Sequence, residues 1–152
     1  MNKFVTCSFY VEADRRIARE LLTKSMKEYS RARQEALSHF GKTNAKFLST
    51  KSLEAELPCK VKTALIRNVL KPKDITLTCL WDRGGYELLN NKLTIQIAPK
   101  NKLIKLDLKA KLRKEMQDIL SKKKLFTLKI TEEETTNKLI ASVVYQVWGK
   151  VV

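Results

Sequence analysis

The sequence predicts an α+β fold: a small antiparallel β-barrel, closed or half-closed, interrupted after its first strand by a helical insertion. Three observations predict it. One strand pattern opens the chain, a long stretch of helical period follows, and after Pro72 the apolar period changes from 3.6 to 2, with one further helix. Short strands joined by tight turns in that number favour a barrel. Residues 1–12 and 73–152 are expected to build the barrel and residues 13–72 the insertion.

Lys3–Val11 alternates, with Val5, Cys7, Phe9 and Val11 forming a wholly apolar face and Phe4, Thr6, Ser8 and Tyr10 the other. Asp14 is expected to cap the next helix, with Glu12 and Asp14 near the positive end of its dipole. Ile17, Ala18, Leu21, Leu22, Met26, Tyr29, Ala32, Ala36, Leu37 and Phe40 keep the three-four spacing of an amphipathic helix, which Gly41 is expected to stop. Lys42–Lys51 reads as a polar, basic loop, and Ser52–Ala55 as a short helical turn. Pro58 suits the first turn of a second helix reaching Leu70, with Val61, Ala64, Leu65 and Val69 inward and Lys71-Pro72-Lys73-Asp74 ending it.

Strands are then predicted at Ile75–Trp81, Tyr86–Leu89, Lys92–Ala98 and Leu103–Leu108. The turns between them are Asp82-Arg83-Gly84-Gly85, Asn90-Asn91 and Pro99-Lys100-Asn101-Lys102. Lys109–Leu120 has helical spacing through Leu112, Met116, Ile119 and Leu120, and Lys122-Lys123-Lys124 is a basic loop. Leu125–Ile130 and Lys138–Trp148 form a last hairpin around Glu132-Glu133-Glu134. The final strand is apolar on both faces, which suits a central position. The isolated first strand must pair with strands far along the chain.

The chain has 152 residues, with 31 Lys+Arg against 16 Asp+Glu and one His, for a formal charge of +15. Its 43% hydrophobic content is enough to bury a core and excludes wholesale disorder. No apolar run approaches the roughly 18–20 residues of a membrane span, and the first residues hold no secretion signal. Three scattered cysteines (Cys7, Cys59 and Cys79) do not make a disulfide framework, so a reducing, cytoplasmic setting is expected.

Such a charge on a folded chain this small predicts attraction to polyanions. Pro99–Lys124 alone holds 10 basic and 3 acidic residues, so the excess concentrates around one hairpin and one helix. Lys outnumbers Arg by 23 to 8, a balance suited to phosphate rather than to bidentate reading of base edges. It also suits a merely solubilising surface. Lys100, Lys102, Lys105, Lys109, Lys111, Arg113, Lys114, Lys122, Lys123 and Lys124 are the main candidates for phosphate contact, with Arg83, Arg15, Arg16 and Arg19 beside them. On the long helix, Glu20–Lys24 and Glu28–Arg31 have the spacing of local ion pairs. Tyr86, Trp81 and Trp148 are candidate platforms for unpaired bases, although aromatic residues on strands more often fill cores.

Catalytic signals are missing. Cys7, Cys59, Cys79 and His39 have no two members within four residues, so neither a metal site nor a Cys–His nucleophile is expected. Gly84-Gly85 is too short to cradle a nucleotide. No cofactor is expected.

The order of elements resembles the amino-terminal half of the transposon-encoded RNA-guided nucleases of the TnpB family and of type V CRISPR effectors. The likeness lies in Phe4–Tyr10 and Arg15–Phe40, and in the hairpin Gly85-Tyr86-Glu87-Leu88 through Lys92-Leu93-Thr94-Ile95 with its Pro99-Lys100 turn. It resumes in Lys124–Ile130 and Lys138–Val147. In that family an OB-like barrel, the wedge domain, is split after its first strand by a helical recognition lobe and followed by a RuvC-like nuclease domain. The Gly-Ile-Asp-x-Gly strand that opens the nuclease domain is not in this sequence. Asp14, Asp74, Asp82, Asp107 and Asp118 show no paired spacing that would clamp two metals.

The resemblance therefore implies a non-catalytic protein that binds structured, guide-type RNA or an RNA–DNA duplex through backbone phosphates. It would act as one subunit of a split effector whose nuclease is a separate partner, with no role for a membrane. The alternative is a virus- or mobile-element-encoded inhibitor that binds a nuclease as a protein.

Overall fold

The computed structural model describes residues 2–43, 53–69 and 77–148. Residues 44–51 of the expected Lys42–Lys51 loop, the helix-ending segment around Pro72, and the side chains of His39, Phe40 and Trp148 lie outside the described residues, while Lys42 and Thr43 close α1 instead of opening the loop.

The described residues form a seven-stranded, all-antiparallel sheet that curls into a nearly closed barrel, with three α-helices. Strand β1 (Asn2–Glu12) is followed by helices α1 (Arg16–Thr43) and α2 (Cys59–Asn68). Strands β2 (Thr78–Trp81), β3 (Tyr86–Leu89), β4 (Lys92–Ile97) and β5 (Ile104–Ala110) come next. Helix α3 (Lys114–Ser121) and strands β6 (Leu125–Glu132) and β7 (Leu139–Trp148) complete the chain. The spatial order is β2-β6-β7-β1-β5-β4-β3. The first strand thus sits at the centre of the later strands, as its isolation in the sequence requires. It pairs with β7 from Asn2↔Trp148 to Val11↔Leu139, and with β5 at Val11↔Ala110 and Glu12↔Lys109.

The period-2 pattern sets which side of each strand is buried. On β1, Phe9 and Val11 are buried while Phe4, Thr6, Ser8 and Tyr10 face outward, as the alternation predicts. Leu93, Ile95 and Ile97 of β4 and Leu106, Leu108 and Ala110 of β5 point into the same interior, and so do Leu139, Ala141 and Val143 of β7. Helix α1 adds Ala18, Leu22, Met26, Tyr29, Ala32 and Ala36. Leu53, Leu57, Val61, Leu65 and Val69 from the rest of the insertion join the same contiguous core.

The edge strands β2 and β3 are consecutive in sequence, and side chains close the gap between them. The Trp81 indole N–H donates to the Gln96 carbonyl at 2.8 Å, and the Gln96 N–H donates to the Gly85 carbonyl at 3.1 Å. The Tyr86 hydroxyl reaches across to the Phe126 carbonyl on β6. The turn between β2 and β3 is also the dock for α2. The Asp82 N–H donates to the Lys60 carbonyl at 3.1 Å, and Arg67 grips the Asp82 carboxylate through two nitrogens at 3.0 and 3.3 Å. A Cβ on Gly85 would stand 2.7 Å from the Lys60 Cβ, so only glycine allows this approach. Gly85→Ala is expected to lower unfolding free energy by about 1–3 kcal/mol, measured by denaturant titration, because helix and turn must separate.

Five local expectations are corrected. Helix α1 begins at Arg16, with the Arg15 carbonyl accepting the first bond from Arg19, so Asp14 lies ahead of the cap position. The helix continues through Gly41 to Thr43, since one glycine weakens a helix by about 1 kcal/mol without ending it. Ile17 is 65% exposed, on the shoulder of the stripe that buries Ala18 and Leu22. Lys109 and Ala110 belong to β5 rather than to a helix, and α3 starts only at Lys114. Glu20 pairs with Arg16 at 3.2 Å rather than with Lys24.

Candidate nucleic-acid interface

Register decides which cations share a surface. Lys105 and Lys109 alternate with the buried Leu106, Leu108 and Ala110, so both stand on the outer side of β5, about 13 Å apart along the strand. Lys92 of β4 lies opposite Lys109, and Gln96 lies opposite Lys105. At one end of this strip, the turn Pro99–Asn101 presents Lys100 and leads to Lys102, both exposed. Lys100 adopts φ 53°, a left-handed conformation that is costly for a side-chain-bearing residue, and its N–H is held by the Glu56 carboxylate. The Glu56 N–H in turn donates to the Glu28 carboxylate at 2.8 Å, so the insertion braces the turn that carries these lysines. Glu28 also accepts from Arg31 at 2.6 Å, and that hydrogen bond holds its carboxyl below the ordinary range.

Beyond the other end of β5 come Arg113 and Lys114, both exposed. Helix α3 packs on β3 and delivers Lys122, Lys123 and Lys124 about 12 Å further on. The cations therefore form a strip on β4–β5 and an arc around the barrel end, not one straight ridge.

Most of them are uncommitted. Lys111 pairs with Glu12 and Lys122 with Asp118, each at 3.5 Å. Lys100, Lys102, Lys105, Lys109, Arg113, Lys114, Lys123 and Lys124 make no ion pair among the described residues, although the Lys124 ammonium stands 5.5 Å over the Phe126 ring. Of the three acidic residues among these cations, Asp107 is engaged by the Thr94 hydroxyl at 2.7 Å and by Lys92 at 3.9 Å, Asp118 pairs with Lys122, and Glu115 is exposed on α3.

The remaining sequence candidates separate. Arg16 is bound to Glu20, and Arg19 ties α1 to the last hairpin through Glu132 at 3.4 Å and the Asn137 carbonyl at 2.8 Å. Arg19 is thus a structural clasp. Arg15 is exposed beyond the end of β1, and Arg83 is exposed on the β2–β3 turn. Trp81 is fully buried with its N–H engaged, which removes it as a stacking platform. Tyr86 is half-buried against the core, its hydroxyl serves barrel closure, and burial pushes its phenol well above the ordinary value. Among the described residues the exposed aromatics are instead Phe4 and Tyr10, on the outer side of β1.

Two cations missed in the sequence join this surface. Lys92 was readable, since the Pro99–Lys102 turn pairs β4 with β5 and that register sets it beside Lys109. Lys60 had no local signal, because tertiary packing alone brings α2 to the β2–β3 turn. Among the described residues no three His, Cys, Asp or Glu side chains gather as a metal site, and no helix is long and apolar enough to cross a membrane. No family model and no curated protein matches the chain.

Proposed function

We propose that this protein is a non-catalytic nucleic-acid-binding module that captures structured RNA, or an RNA–DNA duplex, through backbone phosphates. The observation that carries the reading is the set of eight cations on the β4–β5 strip and the α3 arc that have no ion pair among the described residues. Lysine-rich contact of this kind recognises the path and shape of a backbone, leaving sequence to base pairing. Combined with the resemblance to the barrel half of TnpB-family nucleases, it supports a role as the RNA-holding subunit of a split RNA-guided effector, with the nuclease supplied by a partner.

The test is affinity for a labelled RNA hairpin across a salt series. Each neutralised phosphate contributes about 0.7–0.9 to the slope of log K against log salt, so engagement of the strip and arc predicts a slope of about −4 to −7. A slope near zero, or no binding at low salt, contradicts it.

One observation favours a second reading. The outer side of β1 and β7 presents Phe4, Thr6, Ser8, Tyr10, Ser142 and Val144, an uncharged stretch on a chain of charge +15, with Phe4 59% exposed. Such a face suits protein contact, as in an inhibitor or regulator bound to a nuclease. Tight, salt-tolerant binding to a protein partner, with weak RNA binding, would select it.

A further inference from the structure

A polar hollow of about 90 Å³ opens on the outside of the barrel, lined by Gly84, Tyr86, Glu87, Thr94, Gln96 and Lys105. Two stretches of chain line it, the β2–β3 turn and the outward rows of β3 to β5. Lys60 of α2 lies against Gly84 at its edge, outside the lining itself. A Cβ on Gly84 would lie 3.3 Å from the Lys60 Cε and 3.7 Å from its Nζ. Gly84 also has φ 91°, so glycine serves both the turn and the close approach of the ammonium.

The charge around the hollow is uneven. Lys60, Arg83 and Lys105 have no ion pair among the described residues. Neighbouring carboxylates are already engaged, Asp82 by Arg67 and Asp107 by Thr94 and Lys92. The lining itself holds one cation, Lys105, and one carboxylate, Glu87, neither with an ion pair among the described residues. Lys60 against Gly84 and Arg83 next to it in the turn are the further cations beside the hollow. The Gln96 side-chain amide adds a neutral donor beside Lys105. The volume suits a tetrahedral oxyanion and is too small for a nucleobase. Cations from three segments around such a hollow match the several oxygens of a phosphate.

We propose that this hollow seats one phosphate group of the bound nucleic acid, held by Lys60, Arg83 and Lys105. The proposal rests on the nucleic-acid reading above and adds a fixed point to it. The strip offers mobile charges along a strand, whereas the hollow sets where the backbone must pass.

The test compares the unaltered protein with the K60Q/R83Q double variant and with a K3Q/K27Q control, which removes two exposed cations elsewhere that have no ion pair among the described residues. RNA-hairpin affinity is measured across a salt series for each, with circular dichroism confirming the fold. The K60Q/R83Q variant is expected to lose about one unit of salt slope and bind about 3–10-fold more weakly near 0.1 M salt, with the control slope unchanged. If the unaltered protein binds but K60Q/R83Q keeps its slope, or the control loses as much, the seat is overturned and the wider reading stands. If the unaltered protein does not bind RNA, both fall.

Discussion

Replacing Lys100, Lys102, Lys105 and Lys109 together by glutamine is expected to weaken binding to an RNA hairpin by about 10²–10³-fold near 0.1 M salt and to flatten the salt slope by about 3–4. All four side chains are exposed and free of ion pairs among the described residues, so their removal leaves the packing untouched. Exposed substitutions of this kind shift stability by about 0.5 kcal/mol or less each, which separates lost affinity from lost fold. Arg16 and Arg19 give the contrast. Arg16 already has Glu20, and Arg19 holds the last hairpin, so R16Q is expected to leave RNA affinity nearly unchanged, while R19Q acts on stability. Equal losses per charge removed from both sets would mean that only total charge matters.

The largest stability effect is expected at Trp81. Its side chain is fully buried in the barrel, and its N–H satisfies the Gln96 carbonyl beside the gap between β2 and β3. Trp81→Ala leaves a large cavity and an unpaired carbonyl, and about 3–5 kcal/mol of unfolding free energy should be lost in a denaturant titration. A domain of ordinary stability, about 5–15 kcal/mol, would be left marginal or unfolded. Trp81→Phe keeps most of the volume and loses the hydrogen bond, so its cost should be clearly smaller.

Much of the fold was legible because β-strands write their burial into a period of two. Phe9 and Val11 are buried where the alternation put them, and Leu93, Ile95 and Ile97 share one buried side by the same period. The first strand's isolation also foretold its long-range pairing. The boundary between β5 and α3 was misread, although Leu106, Leu108, Ala110 and Leu112 continue the alternation. Lys109–Leu120 fits a helical period as well, and a short stretch that satisfies both is decided by tertiary pairing, here with Val11 and Glu12. Trp81 and Tyr86 looked like base platforms because composition does not say which face of a short strand is inward. Four-residue strands carry too few positions to fix that phase.

The cationic surface was half legible. The density of Lys and Arg between Pro99 and Lys124 is visible in the sequence, and alternation along β5 sends Lys105 and Lys109 outward together. Which cations are already spent was not visible: the Arg67–Asp82 and Arg19–Glu132 pairs join residues distant in the chain. Nor could the sequence show that Glu56 and Glu28 brace the Lys100 turn from the insertion. Contacts between residues far apart in sequence leave no spacing to read.

Backbone-amide chemical-shift mapping of the labelled protein, titrated with an RNA hairpin at low salt, tests phosphate capture by the strip and arc most directly. Shifts are predicted to concentrate at residues 100–114, 122–124 and the turn at 83–85, moving back as salt is added. Shifts confined to the outer side of β1 and β7, around Phe4, Tyr10 and Ser142, or none at all, would contradict it.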